Sequence, residues 1–223
     1  MKILALDTST EYCSVALWRD GEVDARETLA GQRHSELLLG MLDDLLGRHG
    51  LRPRDLDGIA FGAGPGSFTG LRIACGITQG IAFGANLPVL GVSTLLALAE
   101  AVQAELAVCC LDARMGQIYH AAYARLAGQW DHVHHPGLYA PEEAPLVTGS
   151  SWTGCGSGFA AHRDVLAKRY AGCLSAIIPD VYPHAKHVVR LAVPEFERGS
   201  AGSADQAAPI YIRDKVALRS DER

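Results

Sequence analysis

Asp7, Thr8, Ser9 and Thr10 stand in a row directly after a short apolar run. A carboxylate followed by three hydroxyls suits phosphate: the hydroxyls can bond phosphate oxygens while the carboxylate holds a hydrated magnesium ion. Close backbone approach to phosphate favours glycine, and this turn has none. A second candidate is the loop of Gly62, Gly64 and Gly66, with Pro65 among them. Three glycines and a proline in five residues make a tight loop. Ser67 or Thr69 can cap a helix after it, and a helix N-terminus presents free N–H groups to anions. The spacing is neither GxGxxG nor that of a Walker A loop, and no lysine follows, so the loop reads as structural turns.

The remaining reactive side chains form no set. His132, His134 and His135 fall in a stretch without a neighbouring cysteine or carboxylate cluster. His184 and His187 are three apart on an expected helix, but a metal needs more ligands than two. The six cysteines form no CxxC pair and mostly sit in apolar segments, as buried thiols of a reducing compartment do. No nucleophile, base and orienting group assemble from local sequence. No catalytic residue and no metal site are therefore expected.

The helix expected after the glycine loop, over about 70–85, has unusual chemistry. Its only charge is Arg72. Ile73, Ile77 and Ile81 form one stripe, Ala74, Thr78 and Ala82 the next, and such a helix is buried nearly all round. Gly76, Gly80 and Gly84 fall four apart on one face. Three glycines cost a helix roughly 3 kcal/mol against alanine, so something must offset them. Close approach of a second backbone is the natural candidate, either inside the domain or from another molecule. Arg72 and Gln79 leave too short an apolar run for a membrane span.

The elements around these residues follow from periodicity. The 223 residues suffice for one large domain or two lobes, and 48% hydrophobic content supplies a sizeable core. A net charge of −5 argues against strong unaided binding to nucleic acid. The N-terminal run turns polar after six residues, unlike a signal peptide, so the cytoplasm is the expected location. Strands are expected over 2–6, 13–17 and 22–29, with Asp20-Gly21 as a hairpin turn. A leucine-rich helix follows, capped by Ser35 and stopped at Gly50, then a strand over 58–61 into the glycine loop. Beyond the second helix lie a strand over 88–92 and a helix capped by Ser93. A strand over 107–111 ends in Leu-Asp, as the first strand does, and a turn and strand follow, a faint internal repeat. Residues 126–151 read as loop, 159–170 and 184–198 as helices, and 209–213 as a last short strand before a charged tail.

The segments ILALDTSTEYCSVAL, HSELLLGML, FGAGPGSFTGLRIACGITQGIAFG, LPVLGVSTLLALA, LDARMGQIYHAAY and PIYIRDKVA resemble the TsaB (YeaZ) family of tRNA threonylcarbamoyladenosine biosynthesis proteins. Order and spacing match over nearly the whole chain, and the glycine-loop segment is the most specific. The resemblance implies an α/β fold of the actin, sugar kinase and Hsp70 (ASKHA) type. Its two duplicated lobes, each starting with an antiparallel meander, would span residues 1–104 and 105–223. It implies a non-catalytic partner of TsaD, the related subunit that transfers threonylcarbamoyl to an adenosine beside the tRNA anticodon, with TsaE, an ATPase, joining the complex. The docking surface implied is the first two helices, used for TsaD or for a homodimer. Its residues are His34, Leu38, Met41 and Leu45, with Ile73, Gly76, Ile77, Gly80, Phe83 and Gly84. No cofactor is expected for the chain alone, although a nucleotide at the shared interface fits the resemblance, and tRNA is met only through the complex. The HxxxH metal motif of TsaD-like proteins is missing. The alternative is a stand-alone actin-like ATPase or small-molecule kinase using Asp7, Thr8, Ser9 and Thr10 on nucleotide.

Overall fold

The structure, a computed structural model, describes residues 1–213. The expected meander is present as β1 (Lys2–Asp7), β2 (Tyr12–Arg19) and β3 (Glu22–Leu29). Asp20 and Gly21 make its turn with φ of 53° and 93°, the left-handed pair that a two-residue hairpin demands. Helix α1 (His34–Arg48) leads to β4 (Gly58–Gly64), which pairs parallel to β1. Helix α2 (Phe68–Ala85) and β5 (Val89–Ser93) complete a sheet of order β3-β2-β1-β4-β5.

Alternation along β1 and β2 sorts side chains onto two faces. Leu4, Leu6, Cys13, Val15 and Leu17 pack beneath α1 and α2. Ile3, Ala5 and Ala16 face the other way, onto Val188, Val189 and Ala192. Those last residues belong to a helix from the far end of the chain, α6 below.

The chain then repeats the pattern. Helix α3 (Thr94–Val102) is capped by Ser93, as expected, and leads into β6 (Leu106–Asp112), β7 (Ile118–Leu126) and β8 (Gln129–Tyr139), a second meander. β9 (Trp152–Cys155) and β10 (Leu174–Ile178) join β6 in parallel fashion, giving the order β10-β9-β6-β7-β8. Each sheet thus has its first strand central, two antiparallel strands on one side and two parallel strands on the other. This is the duplicated α/β architecture of the actin-like fold.

Several elements differ from expectation. Residues 126–151 are not all loop, because β8 runs eleven residues through Pro136. It is an edge strand, where a missing N–H breaks no inner ladder, and its register on β7 shifts nearby. The helix expected over 159–170 is two short ones, α4 (Ser157–Ala161) and α5 (Arg163–Arg169), broken at His162. α1 has Arg33 rather than Ser35 at its N-cap. Residues 209–213 form no strand. Helix α6 (Ala185–Glu197) follows the second sheet in sequence but packs on the first, so the lobe expected over 105–223 gives up its last helix. The charged tail after Arg213 lies outside the described residues.

The start of α6 depends on an imidazole. His184 is buried, and its Nδ1 accepts the Lys186 N–H at 2.9 Å, taking the N-cap role usual for Ser or Asp. Nε2 therefore carries the proton and faces Glu27 Oε2 at 3.1 Å. Burial holds His184 down to about 4 and His187 to about 3, against an ordinary 6.5. The unfolded chain then binds more protons than the folded one between those values and 6.5, so this contribution to stability is lost as pH falls through that window. Substituting His184→Asn keeps an N-cap acceptor but removes the titration. Urea unfolding followed from pH 7 to pH 4 is expected to show a smaller loss of stability in the variant than in the wild type.

Candidate functional site

The first sequence candidate, Asp7 to Thr10, turns out to be masonry. Asp7 is fully buried and its Oδ1 accepts the Ser9 N–H at 3.0 Å and the Ser9 Oγ–H at 2.8 Å. Thr8 Oγ1 donates to the Gly70 carbonyl at 2.7 Å, and the Ser67 N–H donates to the Ser9 carbonyl at 2.7 Å. The Thr8 hydroxyl and the Ser9 carbonyl thus hold the turn against the N-terminal end of α2, while the Ser9 hydroxyl is spent on Asp7. The glycine loop exists to let the two backbones meet. A methyl group on Gly62 would strike the Asp7 carboxylate, one on Gly66 the Ser9 carbonyl, and one on Gly70 the Thr8 carbonyl. Ser67 supplies the cap, its Oγ accepting the Gly70 N–H at 3.3 Å.

A cleft of about 1120 Å³ lies between the lobes. Ser9, Thr10, Ser67 and Asp112 line it, but Asp7 does not. Asp7 Oδ2 is buried without a hydrogen-bond partner, and burial raises the carboxyl from 3.8 to about 6. That oxygen lies against Gly62, where a methyl group would strike it. Among the described residues no three His, Cys, Asp or Glu side chains are grouped to hold a metal. His132 and His135 stack at 4.5 Å on β8, a strand where the sequence pattern predicts a loop, and His120 Nε2 meets Tyr170 Oη at 2.9 Å inside the second lobe. The six thiols are free, five of them buried.

The outer face of α1 and α2 is different. A methyl group at Gly76, Gly80 or Gly84 would meet nothing within 4 Å, and all three glycines are exposed. Among the described residues, nothing comes within 4 Å of where those methyl groups would stand. Phe83 beside it is 65% exposed, and Leu39 on α1 is 55% exposed. Ile73, Ile77 and Met41 are half-buried along the margin. Arg52 and Arg54 border a groove of about 360 Å³ over Gly80, Ile81 and Gly84. Of the residues expected on this face, His34, Leu38 and Leu45 are not there. Leu38 and Leu45 point into the core of their own lobe, and buried His34, its Nε2 3.3 Å from the Tyr12 carbonyl, borders the interlobe cleft. α1 instead shows Leu39, Gly40 and the flanks of Leu37 and Met41. The signal for these was the leucines that widen the apolar face of α1 beyond one stripe. Nothing local in the sequence marked Arg52 and Arg54.

Comparison with known proteins bears on what such a face is for. The family model described as TsaD, tRNA N6-adenosine threonylcarbamoyltransferase, matches residues 27–220. The tRNA threonylcarbamoyladenosine biosynthesis protein TsaB of Escherichia coli is 37% identical over 98% of this chain and 97% of its own. The chain belongs to the TsaB family. The Haemophilus influenzae TsaB is 38% identical over 98% of this chain and 96% of its own. Two solved structures from Pseudomonas aeruginosa have the same fold. One, called YeaZ, has a TM-score of 0.87 at 36% identity, covering 94% of this chain and 99% of that one. The other, described as similar to peptidase YeaZ, has a TM-score of 0.88 at 36% identity, covering 95% and 99%. No helix among the described residues is long and apolar enough to cross a membrane.

The buried carboxyl gives a test of the masonry reading. Between pH 3.8 and about 6 folded Asp7 holds a proton that the unfolded chain has released, so its contribution to stability falls as pH rises through that range. An Asp7→Asn variant escapes this. Its stability relative to wild type is expected to grow from pH 4 to pH 6 and stay level above, by roughly 3 kcal/mol at most, in chemical denaturation at each pH. A loss of stability at pH 7 would mean that the ionised carboxylate is held by a partner.

Proposed function

We propose that this chain is the non-catalytic subunit that docks on TsaD through the outer face of α1 and α2 and completes the threonylcarbamoyl transferase acting on tRNA. TsaE joins that assembly, and tRNA is met only through it. In the absence of TsaD, a second copy of the chain uses the same face. The assembly works in the cytoplasm, where six free thiols are at home.

The observation that carries this reading is the open glycine stripe. Gly76, Gly80 and Gly84 cost α2 roughly 3 kcal/mol, and no described residue uses the space they leave. A backbone from another molecule can use it, since small residues let two helices approach closely. Phe83, Leu39 and the half-buried isoleucines give such a helix an apolar bed. The stand-alone ATPase or kinase reading has less to support it: Asp7 is closed off from the cleft, and the hydroxyls of Thr8 and Ser9 are already bonded. Where a nucleotide takes part, this reading puts it at the shared interface rather than at Asp7.

Two substitutions on the one helix separate docking from folding. Gly80→Leu fills open space, so the isolated variant is expected to match or slightly exceed wild type in thermal stability while failing to co-purify with TsaD. Gly70→Ala strikes the Thr8 carbonyl and is expected to lower stability by about 1–3 kcal/mol. If Gly80→Leu still co-purifies in normal yield, the docking face lies elsewhere. Titration of the isolated chain with magnesium ATP is expected to give negligible heat, and micromolar affinity with turnover would favour the kinase reading.

A further inference from the structure

The last described residues tie the two lobes together by a route separate from the main chain crossings. Residues 207–213 leave the short turn Ala204–Gln206 and run beside α2. The Ala207 carbonyl accepts Gln79 Nε2–H at 2.9 Å and Cys75 Sγ–H at 3.2 Å. The Ile210 N–H donates to the Ala63 carbonyl, at the end of β4, at 2.7 Å. Arg72, the one charge on α2, lies 3.7 Å over the Phe68 ring, and its Nε donates to Tyr211 Oη at 2.9 Å. The Tyr211 ring in turn sits 5.5 Å from that of Phe68. All of these anchors belong to the first lobe.

Arg213 belongs to neither set. Its Nη2 donates to Gln117 Oε1 at 2.7 Å and its Nη1 points at Met115 Sδ at 3.2 Å, both in the turn between β6 and β7 of the second sheet. That turn is a firm receiver. Arg114, Met115 and Gly116 all have positive φ, and the Arg114 N–H donates to Asp112 Oδ1 at 2.9 Å. Residues 210–213 and residues 111–115 line the same interlobe cleft, facing Ser67 and Gly70 of the first lobe.

The covalent crossings between the lobes are the α3 connection, 93–106, and the stretch 178–185 that enters α6. Two crossings define a line about which the lobes can turn, as in hinge motion. A tether across the cleft from a third direction removes that freedom. We infer that residues 207–213 form a strap that sets the opening of the interlobe cleft, latched on the second lobe by Arg213 with Gln117 and Met115. Its brace is the Arg72–Tyr211 pair. The strap grips α2 through Arg72, Cys75 and Gln79, a flank separate from the open glycine stripe, so it needs no docked partner to act.

Hydrogen–deuterium exchange and small-angle scattering on the full chain test this with two latch variants, Arg213→Ala and Gln117→Ala. Gln117→Ala breaks the latch from the far side without altering the strap. Both are expected to speed exchange about fivefold, the worth of one exposed charge-assisted hydrogen bond, on both walls of the cleft, residues 111–118 and 64–70. The radius of gyration is expected to rise, with β1, β2 and β9 exchanging as in wild type. Faster exchange confined to 111–118 with an unchanged radius would overturn the strap, since it reports only a locally loosened turn. So would acceleration spread evenly over both sheets in Gln117→Ala, which would make the contact an ordinary part of global stability.

Discussion

The first lobe is arranged around a place where two backbones touch. The turn after β1 and the loop before α2 meet through Thr8 with Gly70 and Ser9 with Ser67, with glycine wherever a Cβ would intervene. This seam fixes where α2 starts and how it is rotated. Once Gly70, Leu71, Ala74, Thr78 and Ala82 are turned inward, the geometry of a helix turns Gly76, Gly80 and Gly84 outward. One helix therefore uses glycine in two opposite ways: at its first turn to admit its own chain, and along its length to leave room that no described residue fills.

The duplicated second lobe shows what was elaborated and what was not. Gly154, Gly156 and Gly158 stand where the first lobe has its glycine loop, and Gly156 and Gly158 likewise abut the central strand, at Cys110. The helix that follows is α4, five residues long, against the eighteen of α2. Asp112 ends β6 as Asp7 ends β1, yet it pairs with Arg114 at 3.1 Å and lies in the cleft wall. The same strand–turn–strand unit is thus used for a surface turn in one lobe and for a sealed seam in the other. The long helix with a single charge belongs to the first lobe alone.

Much of this was legible from residues. Period-two alternation gave the first meander, Asp-Gly its turn, and Ser67 and Ser93 their caps, because each depends on neighbours only a few positions away. The glycine stripe was legible as a cost without a visible return, though whether the lobe itself supplied a second backbone needed the fold. What stayed hidden depends on long-range packing. β8 was masked by Pro136, tolerable only because the strand is an edge. α6 returns to the first sheet through Val188, Val189 and Ala192, a choice between two sheets that local pattern cannot make. The implied docking list went astray at His34, Leu38 and Leu45 because α1 has leucine on more than one face, and only the packed lobe decides which face is inside. The hydroxyls of Thr8 and Ser9 looked free for phosphate until their partners were placed, the Gly70 carbonyl some sixty residues away for Thr8 and the Asp7 carboxylate for Ser9.

The central claim is that the face of α2 left open by the lobe is the one a partner covers. Site-specific photo-crosslinking reads this most directly. A benzophenone side chain replaces Phe83, 65% exposed beside the glycine stripe, or Leu126, 61% exposed on the second lobe, and each protein is irradiated with TsaD. The account predicts a covalent adduct with TsaD from position 83 and none from position 126. An adduct from 126 with none from 83 would contradict it.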